Sequence, residues 1–227
     1  MIVRLFLVTA AAASFSAAAI LDDFNRPDAS TLGPNWTVVS GGAQIISNQA
    51  AGLSNLSLVV YNGVSASGAY VDVYNTGNAL QYAALVLGYS GINDNYFIKV
   101  QNQSGGNSFG NYAFYYGNNG SGGGGGGFFG LNTPFSSGRI WATYSGTTAW
   151  LFIDSDFDGV ADQQYSHTYS AAVSGSGIGL GFYGATRVDN FGAGPPVQSE
   201  IPEPGTFGLA LAGLGAATLL RLRRRRA

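Results

Sequence analysis

The densest chemistry in the chain lies in nine residues between two apolar runs, Asp154-Ser155-Asp156-Phe157-Asp158-Gly159-Val160-Ala161-Asp162. Carboxylates stand at positions 1, 3, 5 and 9 of this segment, with a glycine at 6. Such spacing turns alternate oxygens onto one hard cation, and the glycine takes the sharp bend. If the segment holds an ion, that ion is calcium, with Asp154, Asp156, Asp158 and Asp162 as its ligands. Two positions depart from a full calcium loop: Tyr165 occupies position 12, where a bidentate Glu is usual, and Phe157 takes the polar position 4. The flanks read as strands, which excludes a helix–loop–helix site. The competing reading is a plain hairpin turn, rich in aspartate because Asp caps turns well.

Other chemistry is thinner. Asp22, Asp23, Asp28 and Asp189, with Arg26 or Arg187, read as ion pairs and turn caps at strand ends rather than as a second site. The chain has one histidine, His167, and no cysteine, so a His/Cys metal site is excluded. A Ser-His-Asp triad lacks its Gly-x-Ser-x-Gly elbow leading into a helix, since Gly175-Ser176-Gly177 falls in a loop before a strand. His167 is expected on a strand surface. Retaining glycoside hydrolysis needs two carboxylates about 5 Å apart, one of them an acid with raised pKa. The only glutamates are Glu200 and Glu203, in the tail, so no catalytic residue is assigned and a non-enzymatic role is expected. Trp36, Trp141, Trp150 and thirteen tyrosines can stack on sugars, but strand alternation places most of them in a core. Tyr112, Tyr115 and Tyr116, beside the glycine-rich run Gly117–Gly127, are the least certain to be buried. That run is read as a surface connection and not a phosphate loop, because no Lys-Ser/Thr pair or helix follows it.

The elements that must position these residues are strands. Runs rich in Val, Ile, Tyr, Phe and Thr recur between Gly/Asn/Ser breaks: Trp36–Ser40, Leu56–Tyr61, Tyr70–Tyr74, Tyr82–Tyr89, Tyr96–Gln101, Tyr112–Tyr116, Arg139–Tyr144, Thr148–Asp154, Gly177–Tyr183 and Arg187–Phe191. In one of them Tyr96, Ile98 and Val100 share a face, with Phe97, Lys99 and Gln101 on the other. Many short strands without helical periodicity predict an all-β sandwich or barrel. Between Leu21 and Ser199, four Lys/Arg stand against ten Asp, a net charge of −6. A nucleic-acid partner is thereby excluded, since phosphate contacts need clustered cations.

Both ends read as export signals. Met1–Arg4 is basic, Leu5–Phe15 apolar, and Ala17-Ala18-Ala19 small, the build of a secretory signal peptide over residues 1–19. At the other end Ile201-Pro202-Glu203-Pro204 precedes an apolar run and then Arg221 and Arg223–Arg226. The expected organisation is a domain at 20–195, a linker at 196–205, a membrane helix at 206–222 and a basic tail at 223–227. The span reaches only roughly 25 Å at about 1.5 Å per residue, short for a bilayer core of about 30 Å. Thinning and arginine snorkelling close that gap, and the arginines favour a cytoplasmic C-terminus. Over residues 201–227 the chain closely resembles the PEP-CTERM sorting signal of exopolysaccharide-producing Gram-negative bacteria. The resemblance makes Pro202, Glu203 and Pro204 the sorting motif. It implies cutting by an exosortase, a tethered inner-membrane precursor, and a final place at the cell surface or in the extracellular matrix.

The domain resembles a concanavalin A-like jelly roll of the laminin-G type. The likeness rests on Leu21-Asp22-Asp23-Phe24-Asn25-Arg26 with Leu32–Val38, Leu85–Tyr89 with Asn95–Gln101, Leu151–Asp154 with Asp158-Gly159, and Val188-Asp189-Asn190-Phe191-Gly192. It implies that the first and last strands are neighbours, with Phe24 and Phe191 in the core. The expected role is an exported surface or biofilm-matrix protein associated with carbohydrate, in particular exopolysaccharide. The alternatives are a structural matrix component without a specific ligand and, disfavoured by the missing glutamates, a glycoside hydrolase.

Overall fold

The structure, a computed structural model, describes residues 19–77, 79–103, 106–117 and 128–196. The expected signal peptide up to residue 18, nearly all of the glycine-rich run, the sorting motif Pro202-Glu203-Pro204, the apolar span and the basic tail lie outside the described residues. Among the described residues no helix is long and apolar enough to cross a membrane.

Among the described residues the period-2 pattern forms fifteen strands. In chain order they are β1 (Ile20–Asp22), β2 (Trp36–Ser40), β3 (Ala43–Ile46), β4 (Gln49–Gly52), β5 (Ser57–Ser65), β6 (Gly68–Tyr74), β7 (Gln81–Gly91), β8 (Asp94–Asn102), β9 (Phe109–Tyr116), β10 (Phe128–Phe135), β11 (Ser137–Ser145), β12 (Thr148–Asp154), β13 (Gln163–Thr168), β14 (Gly177–Tyr183) and β15 (Arg187–Ala193). One sheet has eight strands in the order β13-β12-β11-β6-β15-β4-β3, with β1 also on β15. The other has seven, β10-β9-β8-β7-β14-β5-β2. The result is the expected all-β jelly-roll sandwich of antiparallel sheets. As the laminin-G likeness implied, the first strand pairs with the last, Ile20 opposite Gly192 and Asp22 opposite Phe191. Strand β15 serves two partners along one edge, because Val188 pairs with Ala50 of β4. A bulge at Asn190, whose φ is 51°, shifts the register between those halves.

The core lies where the inner faces meet. Tyr96, Ile98 and Val100 of β8 pack there with Leu85 and Leu87 of β7, Ile140 of β11 and Ile153 of β12. Phe24 and Phe191 are both fully buried and flank Trp36, with ring centroids 5.9 and 5.1 Å away. A buried side chain of this size contributes about 1.5–3 kcal/mol, so these aromatics fasten the chain ends.

The outer face of the seven-stranded sheet departs from the usual polar pattern. Leu58, Val60, Tyr82, Ala84, Val86 and Phe97 form a second buried apolar layer on it. Strand β14 makes room: a Cβ on Gly181 would lie 2.5 Å from the Phe97 ring, and one on Gly179 would lie 2.2 Å from the Val59 carbonyl oxygen. The alternating glycines let neighbouring strands lay their side chains across this strand.

Strands β3, β4, β10 and β13 lie outside the runs read from the sequence. The first two are only four residues each, β10 contains Gly130 and Pro134, and β13 is mostly polar. Strands β3, β10 and β13 are sheet edges, where proline and polar residues are tolerated and blunt further pairing.

Candidate functional site

Strands β12 and β13 pair with Ile153 opposite Gln163, and the amide of Asp162 donates to the Ile153 carbonyl at 2.8 Å. The aspartate-rich segment is therefore the loop of a hairpin. Its carboxylates shape it from within. Asp154 Oδ2 accepts from the Gly159 amide at 3.0 Å, Asp156 Oδ1 from Asp158 at 3.3 Å and Asp158 Oδ1 from Val160 at 2.7 Å. Asp162 Oδ2 takes both the amide and the hydroxyl of Ser155, at 2.7 and 2.5 Å. Gly159 has a φ of 89° and Phe157 one of 62°. Phe157, which fills position 4, stacks on Tyr74 with centroids 6.5 Å apart.

Turn capping does not use every oxygen. One carboxylate oxygen each from Asp154, Asp156 and Asp162 lie within 4.8 Å of one another. Asp154 is wholly buried, and its Oδ1 has no hydrogen-bond partner. A buried carboxylate oxygen without a donor is costly. Two oxygens each about 2.4 Å from one calcium ion are at most about 4.8 Å apart, so the three oxygens are close enough to share a single hard cation. Burial pushes the Asp154 carboxyl above the usual carboxylate range, and its neighbour Asp156 adds to this, against the bonds from loop amides. Asp162 is held below that range by the Ser155 hydroxyl and amide.

Nor does the neighbouring arginine neutralise Asp154. Arg139 stands directly opposite it on β11, but its guanidinium is spent on Asp72 of β6, with Nε to Oδ1 at 2.6 Å and NH2 to Oδ2 at 3.0 Å. Asn190 Nδ2 donates to the same carboxylate at 2.9 Å.

Of the four aspartates expected as ligands, three are brought together. Asp158 stands outside the group, its Oδ1 occupied by the Val160 amide. Tyr165 faces elsewhere: its hydroxyl donates to Gln163 Oε1 at 2.7 Å and accepts from the Asn132 amide at 2.9 Å.

The second acidic set is tied into the fold residue by residue. Asp22 pairs with Arg26 at 2.6 Å and accepts from Trp36 Nε1 at 2.7 Å and the Phe24 amide at 2.9 Å. Burial raises the Asp22 carboxyl, but these bonds together outweigh it and leave the group below its ordinary value. Asp23 caps Asn25, Asp28 takes the Ser47 amide and Asp189 the Asn190 amide. Arg187 donates to the Ala185 carbonyl.

Trp36 and Trp141 are buried, as alternation predicts, and Trp150 is half-buried. Tyr112 stacks between Tyr165 and Phe129, at 4.0 and 5.4 Å, and Tyr116 donates to Asp94. His167 is half-buried on β13 against Phe114 and Tyr169. Two polar groups escaped the sequence reading. Lys99, expected merely to share a face with Phe97, is 4% exposed and lies over the rings of Tyr82 and Tyr115. Gln101, two residues on, has a buried Oε1 with no partner. One sign of them was available, since Lys99 is the sole lysine of the chain and sits inside an apolar strand.

Residues 200–226 match the PEP-CTERM protein-sorting motif, the signal read from the order of parts at the C-terminus. No curated protein matches the chain at a significant level. Among solved structures, the CBM2 module of Lactobacillus casei BL23 phage J-1 evolved Dit superposes with a TM-score of 0.51 at 13% identity, over 77% of this chain and 94% of that one. The carbohydrate binding module CBM66 from Bacillus subtilis gives a TM-score of 0.49 at 14% identity, over 72% and 98%. At such identity the first likeness is one of fold.

Proposed function

We propose that this chain is a non-catalytic surface or matrix protein that associates with exopolysaccharide and carries calcium in the β12–β13 loop. The observation that carries this reading is the sorting motif at residues 200–226, set behind a β-sandwich that contains no glutamate. Export starts with the signal peptide at 1–19. The helix at 206–222 then holds the precursor in the inner membrane until an exosortase cuts near Pro202-Glu203-Pro204. The mature protein is released to the cell surface or extracellular matrix.

Calcium suits that destination, since extracellular modules bind it with Kd of about 10⁻⁴–10⁻³ M. Asp154, Asp156 and Asp162 would hold the ion, which would neutralise the one buried carboxylate that Arg139 leaves unpaired. Its role there is structural: it fixes a hairpin whose strands end the eight-stranded sheet. Binding in place of catalysis follows from the carboxylate inventory. The sandwich has no glutamate, the close carboxylates of the loop are assigned to the ion, and the other aspartates described above accept from amides, hydroxyls or guanidinium groups within the fold.

Co-sedimentation of the exported protein with exopolysaccharide from its own host tests the association, and mass spectrometry of the released form tests the processing. Protein pelleting with the polysaccharide, without the arginine tail, is the expected outcome. A full-length chain retained in the inner membrane, or no polysaccharide-dependent pelleting, overturns the reading.

A further inference from the structure

The outer face of the seven-stranded sheet holds a cation with no counter-charge among the described residues. Lys99 sits mid-strand on β8, and its row runs through Gly181 of β14, Ala84 of β7 and Ala113 of β9. These small residues leave the lysine as the only long side chain at the centre of the row. Its Nζ lies 4.4 Å from the Tyr82 ring centroid and 5.1 Å from that of Tyr115. The ion pairs among the described residues are Arg26–Asp22 and Arg139–Asp72, and Lys99 belongs to neither. All ten aspartates of residues 21–199 are described, and none stands in the rows around Lys99.

A buried ammonium ordinarily comes with a carboxylate, because removing charge from water is costly unless it is compensated. Aromatic faces offset part of that cost. Burial pulls the Lys99 ammonium down to about 8, as expected for a charge that lacks an anion. Beside it on the same face, Gln101 is 5% exposed, its Nε2 donates to Gln103 and its Oε1 is left without a donor. A missing anion and a missing donor thus stand roughly 7 Å apart along one strand. Tyr89, Tyr115 and Tyr183, packed on the same layer, are only half-buried. Rings, a cation and an acceptor together suit a sugar: a pyranose face for the rings, a hydroxyl for Gln101, an anionic group for Lys99.

We propose that this face binds a carboxylated polysaccharide, a uronate sugar placing its carboxylate on Lys99 and a hydroxyl on Gln101 Oε1. The site presupposes the polysaccharide association proposed above, and adds to it the charge class of the polymer and the sheet face that reads it. Attraction by overall charge does not explain such binding, because the domain is itself strongly acidic. The recognition has to be local.

Affinity electrophoresis of the full chain in gels containing polygalacturonate or its fully methyl-esterified form isolates the carboxylate, since the two polymers share one backbone. Retardation at least about tenfold stronger on the free acid is expected. Lys99→Met, which keeps the aliphatic stem, should lose that preference while its melting temperature is unchanged or higher, and Gln101→Leu should weaken retardation on both polymers. Equal retardation by acid and ester, no retardation by the free acid, or a Lys99→Met variant that behaves as wild type overturns the site. If the host exopolysaccharide still pellets the protein in that event, the association stands and only this face is wrong.

Discussion

Asp154→Asn should stabilise the domain in the absence of calcium and forfeit the stabilisation that calcium brings to wild type. The three clustered oxygens lie within 4.8 Å of one another, and two like charges at about 4.8 Å repel by about 3.5 kcal/mol at an effective dielectric of about 20. Asp156 and Asp162 are exposed, so water and salt reduce this to about 1 kcal/mol per pair. In chelator, Asp154→Asn removes two such repulsions and supplies an N–H at the position of the unpartnered Oδ1. The variant should then be more stable than wild type by about 1–2 kcal/mol, or roughly 2–8 °C in Tm for a domain of this size. In about 10 mM calcium, at about 10–100 times the Kd of an extracellular site, wild type gains about 1.4–2.7 kcal/mol. The variant should gain almost nothing, so its lead over wild type should close, and it should reverse where the calcium gain exceeds about 2 kcal/mol. The pH dependence follows the same group. In chelator the raised Asp154 carboxyl contributes stability at low pH that is lost as pH rises through its folded-state value. With calcium the dependence changes sign, because the ion must displace that proton, so the calcium-induced shift shrinks as pH falls toward the carboxylate range. Differential scanning fluorimetry in EDTA and in calcium, from about pH 4 to 7, reads all of this. A wild-type Tm insensitive to calcium, or a variant less stable than wild type in chelator, would refute the reasoning.

Three further outcomes follow from the packing. Arg139→Ala strands the Asp72 carboxylate, which is 4% exposed, and should cost about 2–4 kcal/mol by urea unfolding, softened by the remaining Asn190 donor. Gly179→Ala drives a Cβ to 2.2 Å from the Val59 carbonyl oxygen, so a loss of about 2–3 kcal/mol is expected, visible as a lower urea midpoint. Lys99 is held near 8 in the fold, whereas the unfolded chain keeps that proton to about 10.4. The unfolded state therefore binds more protons above about pH 8, stability rises with pH between about 8 and 9.5, and Lys99→Met should flatten the rise in urea titrations.

Much of this protein was legible in its residues because the signals are local. The sorting motif is an order of parts along some two dozen residues, and no contact is needed to read it. The calcium-type spacing of Asp154, Asp156, Asp158 and Asp162 is equally local, as is the period-2 alternation that predicted the sandwich and put Tyr96, Ile98 and Val100 on one face, the one found in the core. The edge strands were harder, since polar β13 and proline-bearing β10 take their shape from their partners and not from their own propensity.

Tertiary structure decided which polar groups are left over. Asp154 Oδ1 is unpartnered because Arg139, directly across the strand pair, is claimed by Asp72, a residue 67 positions away in the chain. The fold brings Asp154, Asp156 and Asp162 together and leaves Asp158, which caps Val160, outside the group. Alternation in the strand alone does not say what lies over the face opposite Tyr96, Ile98 and Val100, which rings from β7, β9 and β14 bury. Spacing along a chain sets what a residue can offer, but whether a charge ends up paired depends on which distant strand is placed beside it.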